Sequence, residues 1–202
     1  MEIGVIVVCL LLSAFFSGME IAFVSSNKIY LEIEKKQNSF LSKILTKLTA
    51  KPSKFIVAML IGNNIVMVIY GFFMGELLMQ WFISLGFEFS DVLSLLLQTL
   101  ISAIIVLMTA EFFPKVFFQI YAYTLFKFFA IPAYFFYNVF YFISTFFIWV
   151  SDFILKNFFK TEGDNIQLYF SKVELGNYIT EQMSSVEDNE SVDCEILMFQ
   201  NA

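Results

Sequence analysis

Three long apolar runs, at residues 3–24, 55–81 and 92–113, restrict this chain to very few folds. Each is long enough to cross a hydrocarbon layer ~30 Å thick as a helix. No water is available inside such a layer, so a spanning segment must satisfy its own backbone N–H and C=O groups. Mean hydropathy is +0.76, far above that of a soluble domain. The expected fold is therefore an all-α membrane protein: three transmembrane helices plus cytoplasmic juxtamembrane amphipathic or hairpin helices. Met1-Glu2 carries no basic leader and the first run outlasts a signal-peptide core, so it reads as a span.

The segments between the runs have their own character. Residues 26–50 set Ile29, Ile33, Phe40, Ile44 and Leu48 against Lys28, Lys35, Lys36, Lys43 and Lys47. That alternation suits an amphipathic helix on an anionic leaflet, and its apolar face argues against a nucleic-acid site. Pro52 stands where a new helix can begin. Residues 123–159 are apolar and aromatic, broken by Lys127, Pro132 and Asn138. Their length alone would make a fourth span. Lys115 and Lys127 on one side and Lys156, Lys160 and Lys172 on the other pull both ends to the same face. A bent or interfacial hairpin with Pro132 as the bend fits those charges better. The expected organisation is a membrane domain over 1–160 and an acidic cytoplasmic linker over 161–202.

Lysine asymmetry orients the spans. Seven Lys separate the first run from the second, whereas residues 85–91 contain none. The first connection is therefore expected in the cytoplasm, the N-terminus and the second connection outside, and Lys115 inside.

Polar residues within the runs carry the functional signal, because a membrane accepts them only facing a bundle interior or a water-filled path. Ser13, Ser17 and Glu20 share one face of a helix, at i, i+4 and i+7. Gly62, Asn63 and Asn64 sit in the second run, and Glu111, Pro114 and Lys115 at the end of the third. Ser17 and Asn63 lie ~12 and ~13 Å from the cytoplasmic ends of their spans, by helical rise. Oxygen donors from three spans are thus expected at neighbouring levels. Oxygen-only donors suit hard cations such as Mg²⁺, Ca²⁺, Mn²⁺ or Na⁺.

A structural account competes. Small and polar residues also hold membrane helices together, and for Gly18 and Gly62 packing explains them at least as well as ligation. It is weaker for Glu20 and Glu111, since a carboxylate offers only acceptors. Glu111 has Lys115 at i+4, a partner if the helix survives Pro114. Gln98, Ser102 and Thr109 trace a polar face on the third run that serves packing or lines a pore.

Other chemistry is excluded or unsupported. All twelve basic residues are lysine, so Arg phosphate forks, a His base and a His metal site are ruled out. Cys9 and Cys194 have no metal-ligand spacing and no reason to pair. No phosphate-binding glycine loop and no nucleophile–base pair is evident, so no enzyme activity is expected.

Taken in order, Ser13-Ala14-Phe15-Phe16-Ser17-Gly18-Met19-Glu20, Ile61-Gly62-Asn63-Asn64 and Glu111-Phe112-Phe113-Pro114-Lys115 resemble the transmembrane domain of the CorC/cyclin-M magnesium-transport family. The resemblance covers about residues 1–160. It implies a homodimer in the plasma (inner) membrane, three spans per subunit, an external N-terminus and a belt of cytoplasmic juxtamembrane helices. It further implies Mg²⁺ export, coupled to Na⁺ entry, through an inward-facing acidic cavity. By that resemblance Ser13 offers its carbonyl and Ser17 its hydroxyl, Gly62 and Asn63 contribute from the second span, and Glu111 shapes the cavity charge. Members often carry another Asn a turn beyond the Gly-Asn pair, where this chain has Met67. Members also continue into paired nucleotide-binding CBS modules, for which residues 184–200 are the expected lead-in.

Overall fold

The computed structural model describes residues 2–36, 39–86 and 90–154, all within one compact unit, Met1–Asn165. The linker expected over 161–202 and the final residues of the 123–159 stretch lie outside the described residues. The elements are α1 (Glu2–Ser25), α2 (Lys28–Lys35), α3 (Phe40–Thr49), α4 (Pro52–Ser84) and α5 (Asp91–Val106). A π-helical turn (Leu107–Phe112) follows, then α6 (Phe113–Ile120), α7 (Ala122–Phe128), α8 (Ala130–Val139) and α9 (Tyr141–Ile154).

Three helices are long and apolar enough to cross a membrane: Glu2–Ser25, Pro52–Ser84 and Asp91–Ile120. The fold is the expected all-helical membrane type. Pro52 opens α4, where its missing N–H has no intrahelical partner to lose. The third span does not stop at Pro114. Helical structure continues to Ile120, and the irregularity lies upstream in the π turn.

α1 is the central element, packed against α4, the π turn, α6 and α7. Its buried face carries Ile6, Cys9, Ser13, Phe16, Ser17, Met19, Ala22 and Phe23. Phe23, Phe55 and Phe126 form an aromatic knot with centroids 4.9, 5.6 and 5.8 Å apart, joining α1, α4 and α7. Ring pairs at such distances add to the area they bury. By contrast α5 fully buries only Ser94, with Ile101, Ile105 and Val106 partly buried against the core, so the rest of its surface faces outward.

The aromatic stretch bends by 69° between α8 and α9. The bend falls at Phe140 rather than at Pro132. Pro132 is the third residue of α8, inside the first turn, where proline costs no hydrogen bond. Tyr121, Phe129 and Phe140 interrupt the helices with φ between −106° and −88° and ψ between 7° and 35°. Lys54, buried in the first turn of α4, sits 3.1 Å from the Tyr141 ring centroid and ties α4 to α9 through a cation–π contact.

The 26–50 segment forms two helices, not one, with residues 37–38 outside the description. The expected apolar face is accordingly only partly right: Ile44 and Leu48 are buried, whereas Ile33 and Phe40 are exposed and Leu31 and Leu45 take the inner positions. Glu34 of α2 is buried, accepting from Tyr123 Oη at 2.9 Å and pairing with Lys127 Nζ at 2.8 Å. This cluster fastens α2 to α7.

Candidate cation site

Two glycines set the distances at which the spans meet. A Cβ on Gly18 would stand 2.6 Å from the Phe118 ring of α6; one on Gly62 would stand 2.7 Å from the Phe16 ring of α1. Their bareness lets α6 and α4 close on α1, and the polar contacts follow from that closeness. Ser13 Oγ donates to Asn63 Oδ1 at 2.6 Å, joining α1 to α4. Ser17 Oγ donates to the Ala110 carbonyl at 2.9 Å, joining α1 to the π turn of the third span. Ser13, Ser17 and Ala110 are buried; Asn63 is half-buried.

Pro114 bears on the second contact, at the end of a π turn whose own bonds run five residues on rather than four. In an α-helix the Ala110 carbonyl accepts from the N–H four residues on. Residue 114 is proline and has none. The Ser17 hydroxyl donates to that carbonyl.

The polarity of the arrangement matters more than its strength. Each serine has one hydrogen, and each directs it at a neighbouring oxygen. Both hydroxyl oxygens are thereby left as acceptors only, while Asn63 Oδ1 and the Ala110 carbonyl each keep a second lone pair. Four oxygens from three spans are thus engaged in two interspan contacts, Ser13 with Asn63 and Ser17 with Ala110.

The carboxylates take no part in these two bonds. Glu111 Oε2 is 3.8 Å from Lys115 Nζ, the i+4 pairing that a continuous helix allows. Glu20 lies about a turn beyond Ser17 on α1. Among the described residues, no three His, Cys, Asp or Glu side chains gather as a metal cluster.

The chain matches the cyclin M transmembrane N-terminal domain family over residues 4–190. It belongs to that family. Two curated relatives are UPF0053 proteins. One, from Haemophilus influenzae, is 39% identical over 62 residues, 31% of this chain and 15% of that protein. The other, sll0260 from Synechocystis sp., is 35% identical over 71 residues, 35% of this chain and 16% of that protein. The chain therefore spans only a small part of either relative's length.

For a cyclin M family domain, the sequence-selected residues divide clearly. Ser13 with Asn63, and Ser17 with the third span, are brought into contact. Gly18 and Gly62 serve the approach of the helices. Asn64 is exposed, turned about 100° from Asn63 by the helical rotation, and does not join the pair. Met67, one turn beyond Asn63, lines a cavity of about 280 Å³ between α4 and α5 with Tyr70, Gln98, Thr99 and Ser102. Tyr70 Oη donates to the Ser102 carbonyl there at 3.2 Å. The Ala110 carbonyl was not identifiable from side-chain chemistry; its only trace was a proline four residues later.

One substitution separates these roles. Ser17→Ala removes the side-chain donor to a buried carbonyl and is expected to cost about 1 kcal/mol, as such bonds do within membranes. In a Pro114→Ala background, the restored N–H can take over. There Ser17→Ala should lower the thermal midpoint by less than half as much. Equal losses in both backgrounds would contradict the assigned role of Pro114.

Proposed function

We propose that this chain is the membrane domain of a divalent-cation transporter that takes Mg²⁺ from the cytoplasmic side and moves it outward, driven by Na⁺ entry. The observation that carries the reading is the pair of interspan bonds, Ser13 to Asn63 and Ser17 to Ala110, which commit both hydroxyl hydrogens and leave the hydroxyl oxygens as acceptors. Membership of the cyclin M family supports the same reading. Mg²⁺ keeps several waters when proteins bind it. In this proposal Ser13, Ser17, Gly62 and Asn63 replace some of those waters, while Glu20 and Glu111 supply negative charge at the approach. Lys115 restrains Glu111 until a cation competes with it. Outward release follows from rearrangement of the spans around a site held at roughly constant depth.

The N-terminus is proposed to be external and the Lys-rich 26–50 segment cytoplasmic. Assembly as a homodimer is part of the proposal, and the outward-facing surface of α5 leaves room for a second copy. Cysteine labelling tests the topology in a Cys9→Ser, Cys194→Ser background. An impermeant reagent should reach Leu85→Cys from outside and Lys36→Cys only after permeabilisation.

A second reading has a specific observation in its favour. Among the described residues, no buried side-chain nitrogen or oxygen lacks a hydrogen-bond partner, so the polar residues already suffice to hold the spans together. Transport assays separate the two. Proteoliposomes holding a Mg²⁺ indicator should show Na⁺-gradient-dependent Mg²⁺ movement that Asn63→Ala abolishes. Flux equal to that of empty vesicles would leave the scaffold reading standing and refute the transporter.

A further inference from the structure

Outside the spans, α2, α3 and α8 form a cavity of about 550 Å³ whose polar lining includes Lys35, Ser39, Lys43, Thr46, Lys47 and Tyr134. Three lysines line it and no carboxylate does. Lys35 is engaged by Glu32 at 2.5 Å. Lys43 and Lys47 are exposed, and Lys47 donates to Tyr134 Oη at 3.1 Å while lying 5.3 Å from its ring centroid. A hydroxyl that accepts from a lysine keeps its own hydrogen for an anionic oxygen.

A second hollow of about 450 Å³ adjoins the first and shares Phe40, Ile44 and Tyr134 with it. Its remaining lining is almost wholly apolar, with Ile131 and Phe135 exposed. The two together have the shape of an amphiphile: a cationic end continuing into an apolar trough. They also lie where a lipid surface is available, because α3 passes into the second span through Ala50 and Lys51 alone.

We propose that this paired hollow binds one anionic phospholipid, its phosphate between Lys43, Lys47 and the Tyr134 hydroxyl, an acyl chain along Phe40, Ile131 and Phe135. A free phosphate would satisfy the lysines but leave the adjoining apolar side chains uncovered. Charge complementarity and the continuity of the two hollows therefore favour a lipid. The site is independent of the cation path, and its occupancy would brace α3 against α8.

Native mass spectrometry of the full chain in detergent tests this, titrating phosphatidylglycerol against phosphatidylcholine of the same acyl chains. Phosphatidylglycerol should bind at least about tenfold more tightly, given the attraction of each nearby lysine for anionic headgroups. Lys43→Gln with Lys47→Gln should erase that preference. Lys36→Gln with Lys51→Gln, which removes equal charge from exposed positions that do not line the cavity, should leave it intact. Equal loss in the two double variants would mean diffuse attraction to charge and would overturn the site, as would equal binding of the two lipids. Displacement of phosphatidylglycerol by excess inorganic phosphate would mean a free-anion site. Should the Lys43, Lys47 variant not be recovered folded, Tyr134→Phe must lower phosphatidylglycerol binding several-fold and leave phosphatidylcholine unchanged; no change there sinks the proposal.

Discussion

Gly62→Ala is expected to lower the thermal midpoint in detergent more than any polar substitution at the cation site. The added methyl would lie 2.7 and 2.8 Å from two atoms of the Phe16 ring and 3.0 Å from Phe140. Phe16 is fully buried and wedged among Phe15, Phe136 and Phe140, with centroids 5.4, 4.8 and 6.2 Å away, so the ring has nowhere to retreat. Overpacking of this kind costs about 1–3 kcal/mol. It also pushes α4 from α1 and lengthens the Ser13–Asn63 bond, so cation binding should fall with stability. Gly71→Ala is the control: nothing lies within 4 Å of its added carbon. Alanine favours helix over glycine by about 1 kcal/mol, so that variant should be neutral or more stable. Similar midpoints for the two variants would contradict the close approach of α1 and α4.

Lys127→Met is expected to be the most damaging change outside the spans. It leaves the Glu34 carboxylate buried against Tyr123 with no cation. Breaking one side of a buried ion pair costs about 3–5 kcal/mol, but Lys127 is itself partly exposed, so solvent screening reduces this to about 1–3 kcal/mol. Glu34→Leu together with Lys127→Met should recover much of the loss, since two apolar residues leave no charge stranded. The same pair gives a pH signature. The hydrogen bond from Lys127 holds the Glu34 carboxyl below its ordinary range, and Glu34 holds the Lys127 ammonium above its own. A depressed carboxyl contributes stability above the unfolded value of about 4.3, lost as pH falls through the folded one. A raised ammonium contributes stability below about 10.4, lost as pH rises through the folded value. The difference in midpoint between the parent and Glu34→Gln should therefore be flat from about pH 5 to 10 and shrink beyond each end. A difference that grows on acidification would have the wrong sign.

What could be read in the sequence follows from what is local. Apolar length located the three spans, and helical spacing put Ser13 and Ser17 on one face, because both depend on residues near in the chain. Depth alone placed Asn63 and Asn64 alike, yet only rotation about α4 decides which faces α1. Pro132 suggested a bend by its identity, but its position in the first turn of α8 makes it harmless, and the turn falls at Phe140. The amphipathic pattern over 26–50 assumed one continuous helix. Division into α2 and α3 resets the phase, which moves Phe40 and Ile33 outward. Glu34 and Lys127 are far apart in sequence, and the Ala110 carbonyl has no side chain to advertise it. Neither could be found without the packing of α2 against α7 and of α1 against the third span.

The central proposal is that two serine hydroxyls, each committing its hydrogen to an oxygen of another span, leave a set of acceptors that takes a hard cation. Thermal unfolding in detergent across a Mg²⁺ titration reads this most directly, because a ligand that binds only the folded state raises the midpoint with concentration. The parent should be stabilised progressively by Mg²⁺, and Asn63→Ala and Ser17→Ala should each abolish the rise while still unfolding cooperatively. A parent protein indifferent to Mg²⁺, or variants that respond as fully as the parent does, would contradict the account.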